Sequence, residues 1–303
     1  MTAPTSASTA QARSGALAAI TCYFLWGLVP LYWKELAAVN PLELIAHRHI
    51  WSLALLFALI AAQRNFGDVA AALRTGRSLS VQFLSATLLT GNWLVYVWGV
   101  NTGHVIETSL GYFLVPLVNV AAGRFVLHEQ LRRLQWIAIA FAVGGVALMI
   151  VQLGRPPWIA LVVAGTWGGY SLMRKQSKLG AITGLAVETL LLTPFAVAFL
   201  LWRHHTGAGA FGRVDLHTHT LILCSGVITA IPLLLFAYGA RRIRLSTLGL
   251  LQYLAPSVQL GLGIWVYHEP FSRSRALSFG FIWAALALYT ADNVMAQHRA
   301  RTR

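Results

Sequence analysis

The sequence predicts an all-α integral membrane protein, and three observations carry that prediction. Of 303 residues, 57% are hydrophobic and 11% charged, whereas soluble domains carry ~25% charged residues. Mean hydropathy is +0.65. The apolar stretches are long and continuous rather than alternating, which excludes the period-two strands of a membrane barrel and leaves helices that satisfy their own backbone in lipid. A formal net charge of +14 would suit a nucleic-acid surface, yet the basic residues stand singly or in twos and threes at the ends of apolar runs. They mark topology, and no nucleic-acid partner is expected.

A helix crosses a bilayer with ~20 mostly apolar residues, and ten such runs can be drawn: 15–32, 42–62, 81–100, 105–127, 134–153, 157–173, 182–201, 220–240, 245–267 and 276–292. The first follows a short polar stretch without a basic region or cleavage site, so no removable signal peptide is expected. The second carries His47, Arg48 and His49, with Arg48 ~9 Å below the interface by helix rise. Arg48 either faces a solute, or snorkels outward or pairs with Glu43 or Glu107 and fixes the fold. Asn92 and Trp93 lie in the third run. The fourth holds Tyr112 and Pro116, starts near Glu107, which reads as a polar helix-start residue, and ends at His128-Glu129.

In the sixth run Trp167 and Tyr170 accompany Gly165 and Gly169, a small-residue spacing that suits close helix contact. Glu188 enters the seventh at the depth Arg48 has in the second. It either takes up a proton or a cationic group during transport, or packs the second half as a hydrogen-bonded acid. Gln252, Tyr253 and Pro256 fall in the ninth run, which ends near His268-Glu269. Both His-Glu pairs read as interfacial anchors tying a fourth helix to its fifth. Pro30, Pro116, Pro194, Pro232 and Pro256 interrupt helices where freed carbonyls could face a cavity.

Lys and Arg set orientation, because cytoplasmic loops hold their excess. With the N-terminus inside, sixteen fall inside and six outside, with Arg48 within a run. Both termini are therefore expected in the cytoplasm, and the protein in the cytoplasmic membrane. An ungapped shift of 140 residues lays Leu110, Leu114, Pro116, Val118, Gly123, Val126, His128, Glu129 and Arg133 on Leu250, Leu254, Pro256, Val258, Gly263, Val266, His268, Glu269 and Arg273. A shift of 141 lays Trp26-Gly27 on Trp167-Gly168. Five spans per half is an odd number, so the halves 1–153 and 154–303 are expected as inverted repeats, a transporter architecture with its site near the midplane.

These residues resemble the EamA-type repeats of the drug/metabolite transporter superfamily: Leu25-Trp26-Gly27 and Thr166-Trp167-Gly168 in the first helices, a mid-helix proline in the fourth, and His-Glu at its end. Tyr23-Phe24-Leu25-Trp26-Gly27, His47-Arg48 with Ile50-Trp51-Ser52, Gly91-Asn92-Trp93, Ser109-Leu110-Gly111-Tyr112-Phe113 and Leu245-Ser246-Thr247-Leu248-Gly249 are similar to its RarD branch, named for chloramphenicol sensitivity. The resemblance implies a permease for small metabolites or drugs and supplies no substrate.

Aromatic rings with polar tips line sites for small planar or amphipathic solutes, so the substrate-binding set is Arg48, Asn92, Trp93, Tyr112, Trp167, Tyr170, Glu188, Gln252 and Tyr253. No catalytic residue, metal or cofactor is expected. Cys22 and Cys224 sit in apolar runs and form no CxxC pair. His204, His205, His217 and His219 read as a solvated loop. No phosphate-binding loop, nucleophile elbow or HExxH is present. The partners are a small solute and the bilayer, with the oligomeric state open. A membrane enzyme built on Glu188, His47 and Arg48 is the alternative, which a two-fold exchange of inside and outside would not serve.

Overall fold

A computed structural model describes residues 6–268 and 273–301. Its α-helices are α1 (Ser6–Glu35), α2 (Pro41–Ala62), α3 (Phe66–Arg74), α4 (Gly76–Asn101), α5 (Val105–Ala121), α6 (Arg133–Leu153), α7 (Trp158–Gln176), α8 (Ala181–His205), α9 (Leu216–Ala240), α10 (Leu245–Leu251), α11 (Leu254–Trp265) and α12 (Arg273–Arg301). A π-helical turn, Ala122–Val126, closes α5. Among the described residues there is no strand.

Among the described residues, eight helical segments are long and apolar enough to cross a membrane. The other two expected runs fall short for different reasons. Thr166, Ser171, Arg174 and Lys175 make α7 too polar. The ninth run, expected as one helix over 245–267, is broken at Gln252-Tyr253 into α10 and α11. Pro256 has no N–H to give the Gln252 carbonyl. That carbonyl takes the Ala255 N–H instead, and Gln252 N and Tyr253 N reach back to Gly249 and Leu250. These i to i+3 bonds tighten the chain at the break. Pro30, Pro116, Pro194 and Pro232 leave their helices continuous. One element was not expected: α3, a short helix that buries Val69 and Ala72 between the second and third runs.

Chain ends of the helices are set by local chemistry. Asn40 accepts from Leu42 N at 3.0 Å and Glu43 N at 3.4 Å, with Pro41 at the first helical position of α2. Asp215 caps α9 by accepting from Thr218 N at 3.0 Å and its hydroxyl at 2.7 Å, which holds this exposed carboxyl below the usual carboxylate range. In the same loop His219 Nε2 accepts from Gly212 N at 2.7 Å, so that histidine tightens a turn.

Packing joins early helices to late ones. Helix α1 lies on α9 and α11, α4 on α7 and α8, α5 on α7 and α10, α2 on α8 and α9, and α6 on α12. The main core includes Tyr23, Leu56, Val115, Trp167, Tyr170, Leu185, Phe236 and Leu248, from seven of these helices. A second core of Phe113, Ala138, Ala142, Phe279 and Ile282 fastens α6 and α12 to α5.

Candidate functional site

Where α1, α4, α5, α7 and α11 converge, a cavity of about 170 Å³ is lined by Trp26, Trp33, Trp93, Tyr96, Tyr112, Trp167, Gln252, Pro256 and Gln259, among others. At ~10–15 Å³ per water, it has room for on the order of ten waters or a small organic solute. Its rings brace one another: Trp26 meets Trp167 edge-on at 5.1 Å between centroids, and Tyr96 meets Tyr112 at 5.5 Å. Such edge-to-face pairs hold aromatic walls in place without filling the space between them.

The polar atoms are few and placed by backbone. Asn92 is fully buried behind the wall, where its amide donates to Val163 O at 2.7 Å and Thr166 Oγ1 at 3.0 Å. Its Oδ1 accepts from the Tyr112 hydroxyl at 3.2 Å and so orients that ring. The Gln252 Oε1 lies 3.5 Å from Asn119 Nδ2. The Gln259 amide donates to the Trp26 carbonyl at 3.3 Å. The buried Trp167 indole N–H has no hydrogen-bond partner among the described residues.

Of the nine residues proposed from sequence, Trp93, Tyr112, Trp167 and Gln252 border this cavity. Asn92 stands one layer behind. Tyr253 is turned away, its hydroxyl on Phe113 O at 3.2 Å. Tyr170 stacks on Phe236 at 5.9 Å in the core. Arg48 borders a second cavity of about 200 Å³, between the end of α1, α2 and α4, which shares Trp33, Trp93 and Tyr96 with the first. Glu188 borders neither. Tyr23, Trp26, Trp33, Tyr96 and Gln259 are lining residues that the sequence reading left out, although the aromatic spacing of α1 was there to find.

Arg48 does not pair with Glu43 or Glu107 as one reading expected. Glu43 is occupied by Arg203 Nη2 at 3.3 Å and by Ala210 N at 2.7 Å. Glu107 serves the start of α7 rather than its own helix, accepting from Ile159 N at 2.8 Å with Arg155 Nη2 3.0 Å from Oε2. A carboxylate there also meets the positive end of the α7 dipole. Arg48 instead lies over the Trp93 ring, 3.9 Å from its centroid.

Glu188 is held in a buried cluster between α4, α7 and α8. It accepts from Ser85 Oγ at 2.6 Å, Arg174 Nη1 at 3.3 Å and Tyr170 Oη at 3.5 Å. Arg174 had counted only as a loop charge. The structure buries it, 1% exposed. His47 sits elsewhere again, its ring 5.0 Å from that of Phe211. Glu188, His47 and Arg48 are thus in separate settings, and nothing gathers them into one reaction centre.

Glu129 also departs from expectation. It does not tie its helix to α6. Its carboxylate crosses to the start of α10, accepting from Leu245 N at 2.6 Å, Ser246 N at 3.1 Å and Ser246 Oγ at 2.6 Å. Gly123 makes this approach possible, since a Cβ there would stand 2.7 Å from Glu129 Oε2. Around it the Arg244 guanidinium donates to Gln130 O at 2.9 Å, Tyr23 Oη to Leu248 O at 3.1 Å, and Lys175 Nζ to Ile243 O. This end of the bundle is closed. Glu269, its counterpart in the repeat, lies outside the described residues.

An aromatic cavity thus lies inside a bundle of helices long and apolar enough to cross a membrane. The chain belongs to the EamA-like transporter family, whose sequence pattern matches it twice, over residues 13–151 and 156–291. It is 41% identical to Protein RarD of Streptomyces exfoliatus over 97% of this chain and 93% of that one. It is 40% identical to an uncharacterized transporter of Vibrio cholerae serotype O1 over 96% of each. A crystal structure 22% identical in sequence superposes with a TM-score of 0.71, covering 92% of this chain and 98% of the other. That likeness speaks for the fold.

Proposed function

We propose that the protein is a secondary transporter of small, largely apolar metabolites or drug-like solutes across the cytoplasmic membrane, working by alternating access between two inverted five-helix repeats, 1–153 and 154–303. The observation that carries this is an exchanged pair of close contacts. A Cβ on Gly27 would meet Val258 Cβ at 2.5 Å, and one on Gly168 would meet Val118 Cγ1 at 2.3 Å. Gly168 is the repeat mate of Gly27, and Val118 that of Val258. Each half therefore presses its first helix on the other's fourth in the same way. The helix pairings exchange likewise, α1 with α9 and α11 against α7 with α4 and α5. His128 and His268, one repeat apart, both carry a positive φ, 54° and 51°. A two-fold of this kind lets one conformation become the other by swapping the roles of its halves.

With the basic ends inside, the end closed by Glu129 is cytoplasmic and the Arg48 cavity faces outward. In that orientation both termini are cytoplasmic. An impermeant thiol reagent applied to cells lacking Cys22 and Cys224 is then expected to label His217→Cys and to spare Arg74→Cys, both exposed positions. Labelling of position 74 from outside would overturn the orientation.

The function itself is tested by a flux screen in proteoliposomes with amino acids, amphenicols and small aromatic acids. At least one solute is expected to show saturable flux, and Ala255→Trp, which fills the cavity from its wall, is expected to reduce it about tenfold or more. Absence of saturable flux for every solute, or flux indifferent to Ala255→Trp, would sink the reading.

A further inference from the structure

Among the described residues Arg48 is a buried cation without a counterion. It is 2% exposed. Its Nε has no hydrogen-bond partner among the described residues, and its guanidinium lies over the Trp93 face. Three buried acids of the bundle are paired with other cations: Glu43 with Arg203, Glu107 with Arg155, and Glu188 with Arg174. The contrast with the repeat mate is direct. Glu188, 140 residues on, has three partners, whereas Arg48 has none among the described residues. Removing a charge from water costs several kcal/mol unless a partner repays it, and the Trp93 face offsets only part of that cost.

What Arg48 does face is space. It lines the cavity of about 200 Å³ and a small recess with Trp26, Trp33 and Thr229. Trp93 is a wall of both and of the aromatic cavity. A planar guanidinium pairs best with a carboxylate through two parallel hydrogen bonds. Resting on the protein, we propose that Arg48 anchors the carboxylate of the transported solute while the solute's apolar body lies against Trp93 and Tyr96 toward the aromatic cavity. The substrate class is then small organic acids with a ring-sized apolar part. This deepens the transporter reading above and rests on it.

The test uses the intact protein in phosphatidylcholine nanodiscs and two matched probes, 4-phenylbutyrate and its neutral amide, followed by quenching of the tryptophans around the cavity. Hydrogen bonds to a charged group contribute ~1.5–3 kcal/mol, so wild type is expected to bind the acid at least about tenfold more tightly than the amide. In Arg48→Gln that ratio is expected to fall to near one, with amide affinity within about twofold of wild type. Arg48→Lys, which keeps the charge and loses the fork, is expected to retain part of the preference. Because the Gln variant removes an unpaired buried charge, it is expected to melt no lower than wild type.

Equal binding of acid and amide by wild type would overturn the anchor and leave the cavity standing. An undiminished preference in Arg48→Gln would overturn it as well. Failure of both probes to bind would bring down the cavity reading and the anchor with it. Displacement of the acid by phosphatidylglycerol added to the nanodiscs would make the occupant a lipid headgroup, which also overturns a solute carboxylate.

Discussion

Arg174→Ala is expected to lower the stability of the folded protein by about 3–5 kcal/mol, the usual cost of stripping one partner from a buried ion pair. Glu188 would then keep only Ser85 and Tyr170. Glu188→Ala should cost at least as much, because Arg174 Nε and Nη2 already lack partners and Nη1 would join them. Replacing both by apolar residues of similar volume, Arg174→Met with Glu188→Leu, is expected to recover most of the loss. At ~2–4 °C per kcal/mol for a chain of 150–250 residues, thermal melts in detergent resolve each of these steps. Glu188→Gln carries a second message. A carboxyl whose work is proton coupling would tolerate that change in stability and lose only gradient-driven accumulation, whereas a carboxyl that neutralises Arg174 would melt early. Single variants within 1 kcal/mol of wild type would show that the cluster is not what holds α4, α7 and α8 together.

Apolar length was legible because the bilayer demands it. The expected runs became helix, although α1 starts nine residues before its run and α12 ends nine residues after its own. The break in the ninth run was not legible. Pro116 and Pro256 align at the 140-residue shift, yet α5 runs through the first and the chain is interrupted ahead of the second. Residue identity was the same and the packing around it was not. Ring positions such as Trp93 and Trp167 could be found from residue type. Tyr170 and Tyr253 could not be told from them, because one turn of helix decides whether a ring meets a cavity or a core. Ion pairs were least legible of all. Arg174 lies at a helix end, where sequence logic makes it a topology marker, and only the approach of α8 across Gly184 turns it inward.

The conformational balance is expected to hinge on Glu129. Its two oxygens accept from two backbone N–H groups and one hydroxyl at the start of α10. Those N–H groups have no partner inside their own helix. In a state open on this side they would turn to water, so the carboxylate contributes the difference between charged hydrogen bonds and hydrated groups. Glu129→Gln keeps the shape, but one of its two terminal atoms becomes an NH₂ facing a donor. A net change of roughly 2 kcal/mol is expected, which shifts a two-state equilibrium about 30-fold toward the form open at this end. The reporter is Leu248→Cys, fully buried behind the closed end, in a protein lacking the native cysteines. Its labelling by N-ethylmaleimide is expected to rise about tenfold or more when Glu129→Gln is added. Labelling of Ala37→Cys, beside the Arg48 cavity, should fall at the same time, as the proposed alternating access requires. General loosening would raise both rates together, and an unchanged Leu248→Cys rate would remove Glu129 from the closed end altogether.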